Sequence, residues 1–333
     1  MAQRPWAMRP RTAGVRGLPM SRHAAPARRA VIVLALLSLI WGYNWVAMKL
    51  ASHYAGPFQF SALRCLFGAL ALFVALLLRR DSLRLTAPGP TLLLGLLQTA
   101  AFTGLAQWAL VSGGAGKTAV LVYTMPFWLL LLAWPLLGER LRRAQWPAVI
   151  LAAAGLVLIV EPWTLRGTLL SDGLAIAAGL TWAAAAIVAK KLRLRHQVDL
   201  LSLTAWQMLF GALALSGVAL AVPAPPLVVG AELIAATAFI AIIGTGLGWL
   251  MWLYVLDQMP ASTAGLGSLA VPAIGVLASW LQLGERPGAA ELAGMLLIIA
   301  GLALLSFAGG RRPGSAPAPA SPQQTKAPGD APR

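Results

Sequence analysis

The segment Pro126–Arg140, PFWLLLLAWPLLGER, has a second copy in the same chain, Pro272–Arg286, which reads PAIGVLASWLQLGER. The two copies align without a gap at a separation of 146 residues, with a proline at the start, a shared tryptophan and Gly-Glu-Arg at the end. A proline, about a dozen mostly apolar residues and a charged turn are typical of a membrane helix that ends and is followed by another helix. The sequence therefore contains two copies of one membrane unit.

Composition places the whole chain in the membrane class. Of its 333 residues 59% are hydrophobic and 11% charged, and the mean hydropathy is +0.76, far from the usage of soluble proteins. A net charge of +16 would favour nucleic acid in a soluble protein, but here the basic residues gather between apolar runs, so no nucleic-acid partner is predicted. Cys65 is the single cysteine and no histidine lies near it, so we expect neither a metal site nor another cofactor.

Ten apolar segments follow one another along the chain, and most are long enough to cross a bilayer. They are Ala30–Leu50, Pro57–Leu78, Pro90–Val111, Thr118–Leu137, Trp146–Val160, Leu170–Ala189, Leu200–Val222, Ala231–Leu256, Ala261–Leu283 and Ala289–Phe307. The predicted fold class is thus an all-α polytopic membrane protein with ten transmembrane helices.

The ends of the chain lack this pattern. Residues 1–29 contain seven arginines and no acid, and residues 309–333 are rich in proline and alanine, so both are predicted to be disordered cytoplasmic tails. An Arg-rich start also occurs in organellar transit peptides, but no amphipathic stripe follows it here. Between the tails we predict a first five-helix repeat over residues 30–163 and a second over residues 168–308.

The distribution of basic residues predicts the orientation in the membrane. With both termini in the cytoplasm, most of the 26 Lys and Arg residues fall in cytoplasmic segments, as membrane proteins prefer. The same topology places Glu139 inside and Glu285 outside, and we interpret both as capping residues at helix ends rather than as a proton relay. Only four basic residues then lie outside: Lys49, Lys117, Arg166 and Arg286.

The duplication extends beyond the opening segment and predicts its symmetry. Leu66–Leu72 and Leu209–Leu215 both read LFGALAL, and Trp41 and Lys49 match Trp182 and Lys190. Because five helices per copy is an odd number, the second copy enters the membrane from the opposite face. The two copies are therefore inverted repeats, an architecture typical of transporters.

These features together resemble a known family. The pair Trp41-Gly42 in the first helix, Arg64 in the second and the Pro…Gly-Glu-Arg…Gly pattern closing each half are similar to the EamA branch of the drug/metabolite transporter superfamily. The resemblance covers about residues 30–308. It implies an exporter or permease of the bacterial inner membrane for small metabolites, with a central cavity lined mainly by the third, fourth, eighth and ninth helices.

The resemblance also implies which side chains meet the cargo. In those four helices, aromatic and amide side chains would give the cavity a mixed lining suited to amino acids or to amphipathic and aromatic compounds, although each such residue can equally form interhelical hydrogen bonds. The residues concerned are Gln98, Gln107, Trp108, Tyr123, Trp252, Tyr254 and Gln282.

Arg64 is the only formal charge deep within a predicted span, and its repeat equivalent is Gln207. An intramembrane charge must pair, reach water or line a cavity. Arg64 is therefore a candidate contact for an anionic group such as a carboxylate, or else a packing residue that donates to backbone carbonyls. Gln207 is included in the predicted site as its counterpart.

Trp41 and Asn44 provide a second candidate surface in the first helix. Trp41 and Trp45 share one helix face and Asn44 lies close to it, so the face could stack a planar solute while the amide orients it. Anchoring at the membrane interface is the competing interpretation.

Pro126 and Pro272 occupy equivalent places in the two halves and remove a backbone donor from each helix. They are predicted hinges for alternating access, or static bends that shape the cavity. The function predicted overall is a transporter that exports small organic molecules, acting as a monomer or homodimer in the lipid bilayer. A membrane-embedded enzyme and a non-transporting sensor or scaffold are the alternatives.

Overall fold

The computed structural model describes residues 24–112, 115–140, 143–160, 169–283 and 288–310, and within these ranges the chain forms helices and no strands. This confirms the predicted all-α class. The helices are α1 Ala24–Ala51, α2 Pro57–Leu78, α3 Pro88–Leu94, α4 Phe102–Ser112, α5 Ala115–Val122, α6 Met125–Leu137, α7 Trp146–Val160, α8 Leu169–Arg195, α9 Leu200–Ala221, α10 Ala231–Phe239, α11 Gly248–Gln258, α12 Ala261–Gly267, α13 Ala270–Leu283 and α14 Ala289–Gly310.

Several of these helices join end to end into longer rods. Seven of the described rods are long and apolar enough to cross a membrane, and shorter apolar helices lie at Met125–Leu137, Trp146–Leu158 and Leu292–Gly301. The chain is therefore a multi-pass membrane protein, while the count of ten spans stays a prediction. The seven rods are Arg28–Ala51, Pro57–Leu78, Pro88–Val111, Leu170–Arg195, Leu200–Ala221, Ala231–Gln258 and Ala261–Gln282.

Helix packing repeats itself between the two halves of the chain. α2 packs against α9 and α7 against α14, so equivalent helices of the two repeats contact each other directly. The contact of α1 with α13 has its counterpart in the contact of α8 with α6, and the contact of α4 with α8 has its counterpart in that of α11 with α1. A two-fold relation between the repeats accounts for each pair, as predicted from the inverted repeat.

Two equivalent helices are interrupted at equivalent points. A turn at residues 123–124 separates α5 from α6, and another at residues 268–269 separates α12 from α13. Pro126 follows the first turn and Pro272 the second. Since proline lacks an N–H and fits the first turn of a helix, each proline begins a new helical segment rather than bending a continuous one.

Two further segments adopt the wider π-helical turn. Gly95–Ala101 joins α3 to α4, and Ile240–Leu247 joins α10 to α11. The two segments lie 145–146 residues apart, which is the separation of the repeat in this region. A Cβ atom on Gly95 would lie 2.3 Å from the carbonyl oxygen of Gln207, so the glycine allows this segment to touch the backbone of α9.

Local chemistry fixes the ends of several helices. The Gln59 side chain accepts a hydrogen bond from Gly56 N at the start of α2, and Asp199 accepts one from Ser202 N at the start of α9. Gly138 ends α6 with a φ of 70°, the left-handed conformation that glycine adopts without strain. The Gly-Glu-Arg motif therefore ends its helix at the glycine and presents Glu139 just beyond it.

Some boundaries differ from those predicted. α1 begins at Ala24, inside the predicted tail, and α8 continues past Ala189 to Arg195, because alanine, lysine and arginine are good helix formers next to an apolar span. α14 extends to Gly310. The remainder of both predicted tails, the junction at residues 163–168 and Glu285 lie outside the described residues.

Candidate functional site

A cavity with an empty volume of about 470 Å³, including its open part, lies between the two repeats. Its walls come from six of the predicted spans. The residues that line it are Trp41, Asn44, Trp45, Met48, Arg64, Phe102, Thr103, Ala106, Tyr123, Trp182, Gly244, Thr245 and Trp249.

The cavity occupies one half of the helix bundle. In α1 its lining residues fall between Trp41 and Met48, close to the end of the helix at Ala51, and in α2 Arg64 lies about two turns after the start at Pro57. Tyr123 lies eight residues after the start of α5 at Ala115. The end of α1 and the start of α2 are joined by residues 52–56 and so lie at the same face of the bundle, which the distribution of basic residues predicts to be extracytoplasmic.

An aromatic cluster closes the cavity towards the middle of the bundle. Trp41, Trp182 and Trp249 pack edge to face, with ring centroids 5.0–5.9 Å apart, and Phe102 and Tyr123 extend the cluster at 5.1–5.5 Å. We call these five residues the aromatic floor. Such pairs contribute beyond their buried area, and their faces offer an apolar surface to a bound solute. All three tryptophan side chains are at most 7% exposed.

The π-helical segment of the eighth predicted span positions the aromatic floor. Trp41 Nε1 donates a hydrogen bond of 2.9 Å to the carbonyl oxygen of Gly244, which lies in that segment. A Cβ on Gly248 would lie 2.5 Å from Trp41 Nε1, and one on Gly244 would lie 2.4 Å from Asn44 Oδ1. The glycines of this span therefore permit α1 to approach the backbone closely.

Arg64 provides the only formal charge among the described residues that line the cavity. Its side chain is 5% exposed, Nη1 lies 3.3 Å from the sulfur of Met48, and its Nε has no hydrogen-bond partner within the described part of the chain. No ion pair found among the described residues includes it. A buried guanidinium with only a sulfur as acceptor has strong unused capacity to bind an oxyanion.

Asn44 adds a second polar group with unused capacity. Its amide Nδ2 donates weakly to the Met48 sulfur at 3.4 Å, while its buried Oδ1 accepts no hydrogen bond from any described residue. Thr103 and Thr245 add hydroxyl groups to the same wall. The cavity thus combines a cation, a hydrogen-bond acceptor and hydroxyl groups with aromatic rings.

The predicted site residues separate into three groups in the structure, and their binding roles stay predictions. Trp41, Asn44, Arg64 and Tyr123 line the cavity, and Trp252 lies behind the aromatic floor, 5.4 Å from Trp182 between ring centroids. Gln98, Gln107 and Gln207 are fully buried outside the cavity lining, and Thr99 Oγ1 donates a 2.8 Å hydrogen bond to Gln207 Oε1. The residues that face elsewhere are Trp108, 41% exposed and packed on Phe58, Tyr254, half-buried, and Gln282, exposed.

The lining also differs from what the resemblance implied. The ninth predicted span contributes no lining residue, whereas the first and sixth contribute five. Trp182 could have been found from the sequence, because it is the repeat equivalent of Trp41. Phe102, Thr103 and Thr245 carry no comparable signal, since they are ordinary residues in apolar helices.

Within the described ranges, no three His, Cys, Asp or Glu side chains lie close enough together to bind a metal ion. Among the same residues, none that lines the cavity is a carboxylate.

A partly polar cavity with an aromatic floor, enclosed by two related helical repeats, defines a membrane transporter. The chain belongs to the EamA-like transporter family, which it matches twice, over residues 28–161 and over residues 169–307. This confirms the resemblance deduced from the sequence.

Individual relatives agree with this assignment. The chain is 30% identical to "Uncharacterized transporter YoaV" of Bacillus subtilis, over 84% of this chain and 98% of that protein. It is 28% identical to a "Probable amino-acid metabolite efflux pump" of Salmonella typhimurium, over 84% of this chain and 95% of that protein. A solved crystal structure shares the fold, with a TM-score of 0.72 at 21% identity, over 84% of this chain and 99% of the other.

Proposed function

We propose that this protein exports small organic metabolites, such as amino acids or amphipathic and aromatic compounds, by alternating access through the cavity between its two repeats. The observation that carries the proposal is the cavity itself, which is lined both by the aromatic floor and by a buried arginine that pairs with no carboxylate among the described residues. Efflux pumps for amino-acid metabolites among the relatives support the same direction and cargo class.

The chemistry of the cavity favours a cargo with a carboxylate and an apolar or aromatic part. Arg64 would bind the carboxylate, and Asn44 Oδ1 would accept a hydrogen bond from a donor such as an ammonium group. The aromatic floor would receive the side chain.

The symmetry of the fold supports alternating access. Because the two repeats pack in equivalent pairs, exchanging their conformations would move the opening from one face to the other. The helix breaks before Pro126 and Pro272 would serve as hinges, since each is a turn between two helical segments rather than a continuous helix. Tight turn hydrogen bonds, from Thr124 N to the Leu121 carbonyl and from Leu269 N to the Leu266 carbonyl, hold the backbone there.

The proposed setting is the bacterial inner membrane, with both termini in the cytoplasm and the protein acting as a monomer or homodimer. The bias of Lys and Arg towards the predicted cytoplasmic segments supports this orientation. An engineered cysteine at position 285 should react with an impermeant maleimide only from outside the cell. Labelling from the cytoplasmic side alone would overturn the orientation.

Solute flux separates transport from the alternatives of a membrane-embedded enzyme and a sensor or scaffold. Purified protein in liposomes loaded with an unlabelled amino acid should take up the labelled form by exchange, and liposomes without protein should not. A panel of aliphatic and aromatic amino acids and aromatic cations would define the cargo. If no member exchanges faster than in protein-free liposomes while one of them binds or is chemically altered, the transport proposal is wrong.

A further inference from the structure

The end of the bundle opposite the cavity is held by polar contacts between the two repeats. Glu139 belongs to the first repeat, directly after the end of α6. Its Oε1 accepts a hydrogen bond from Ala261 N, and its Oε2 accepts two from Ser262, from N and Oγ, each at 3.1 Å. These residues begin α12 in the second repeat, so Glu139 caps the helix of the other half rather than its own turn.

Lys190 of the second repeat joins the same cluster. Near the end of α8, its Nζ donates to the carbonyl oxygens of Leu256 at 2.8 Å and Met259 at 2.5 Å, where α11 ends. The same atom lies 3.9 Å from Glu139 Oε1. Lys190 therefore binds the C-terminal carbonyls of one helix and the carboxylate that caps the next.

These contacts differ in kind from the neighbouring ion pair. Arg193 and Asp257 approach to 3.0 Å, but both belong to the second repeat. Glu139 and Lys190 come from different repeats, and their side chains are only 16–17% exposed. Removing the hydrogen-bond partners of such a buried carboxylate costs free energy unless water molecules replace them.

We propose that Glu139 and Lys190 form a gate that closes this end of the transport route while the cavity is open at the other. The inference rests on the proposed alternating access, because cargo could leave at this end only if α6 separated from α12. Separation would break every hydrogen bond to Glu139 and expose its carboxylate to water at the membrane face. Water can replace polar contacts of this type. The contacts can therefore hold the two repeats together in the closed state and still break when this end opens.

Side-specific labelling of a buried cysteine tests the gate without any cargo. The reporter is Ala264→Cys, combined with Cys65→Ala so that no other thiol is present; Ala264 is fully buried and lies within the first turn of α12. The gate is weakened by Glu139→Ala, by the milder Glu139→Gln, or by Lys190→Met. Asp81→Asn is the matched control, because Asp81 pairs at 3.0 Å with Arg79 beside the same predicted face but within one repeat.

We expect the gate variants to raise the rate of labelling by an impermeant maleimide about tenfold, from the predicted cytoplasmic side only, because loss of the gate shifts the population towards the open state. Asp81→Asn should leave the rate unchanged. Equal rates in the gate and control variants, or equal increases from both sides, would overturn the proposal. If the Glu139→Ala protein does not insert into the membrane, labelling of the Glu139→Gln and Lys190→Met proteins tests the proposal in the same way.

The outcome is independent of the cargo. Faster one-sided labelling supports an opening at this end even where a tested solute binds or is altered without any solute being exchanged, the result that refutes transport. Normal labelling in a protein that exchanges amino acids refutes the gate alone.

Discussion

Replacing Arg64 by alanine should remove the preference of the cavity for anionic cargo. Arg64 is the only charged residue that lines it, and its guanidinium has a sulfur at 3.3 Å as its hydrogen-bond partner among the described residues. No oxygen atom of the described residues accepts a hydrogen bond from this guanidinium, so the carboxylate of a bound cargo would provide one. Alanine removes the charge and every donor of the side chain.

The size of the effect follows from the strength of one charge-assisted contact. A hydrogen bond to a charged group contributes about 1.5–3 kcal/mol, and each 1.4 kcal/mol changes a dissociation constant about tenfold. Arg64→Ala should therefore weaken binding of a carboxylate about 10-fold to 150-fold. Arg64→Lys should restore part of this, because it keeps the charge but lacks the planar fork.

The assay compares two ligands that differ only in charge, an amino acid and its primary amide. Quenching of the tryptophan fluorescence of the aromatic floor reports binding, and exchange in liposomes reports transport. The control is Gln207→Ala, the repeat equivalent of Arg64, which is buried against Thr99 outside the cavity and should change the ratio of the two affinities little. Equal losses for acid and amide in Arg64→Ala would show that the arginine serves packing and would refute the anionic contact.

Three further changes test the site and the packing around it. Gly248→Ala places a methyl group 2.5 Å from Trp41 Nε1, so the indole must shift, and we expect the exchange rate to fall at least about fivefold, the equivalent of one hydrogen bond near 1 kcal/mol. Gly155→Ala places a methyl group 2.5 Å from the carbonyl oxygen of Gly294, between α7 and α14, and should lower stability by about 1–3 kcal/mol, measured as a lower Tm in detergent. Gly217→Ala, which meets no atom within 4 Å, is the control for both, and an equal effect there would contradict the argument. Because none of the described residues that line the cavity is a carboxylate, exchange should proceed without an imposed proton or sodium gradient, and uphill accumulation that needs a pH gradient would show a coupled mechanism instead.

The overall fold could be predicted because the length of each apolar segment and the repetition of segments are visible in the sequence itself. The repeated segments at Pro126 and Pro272 predicted equivalent bends, and the structure interrupts both helices there. The π-helical segments were not predicted, because they depend on how closely another helix approaches, as Gly95 does at the backbone of Gln207.

The site was only partly readable for a different reason. Trp41, Asn44 and Arg64 stand out because they are polar or large in otherwise apolar helices. Trp108 and Gln282 share that property yet face away from the cavity, since a helix that is apolar on all sides does not reveal its rotation. The depth of a residue in the bundle and the rotation of its helix depend on packing between helices. The sequence of a single helix does not contain that information.

The matching π-helical segments bear on the history of the chain. A π turn accommodates one residue more than an α turn between the same two neighbours, so each segment has the geometry that a one-residue insertion into an α-helix would produce. Both repeats have this geometry at corresponding positions, Gly95–Ala101 and Ile240–Leu247. The simplest order of events is that a single five-helix gene acquired the extra residue first and was duplicated afterwards. The widened turn is then older than the two-repeat protein itself, and it would have shaped the ancestral subunit when two separate copies assembled in opposite orientations.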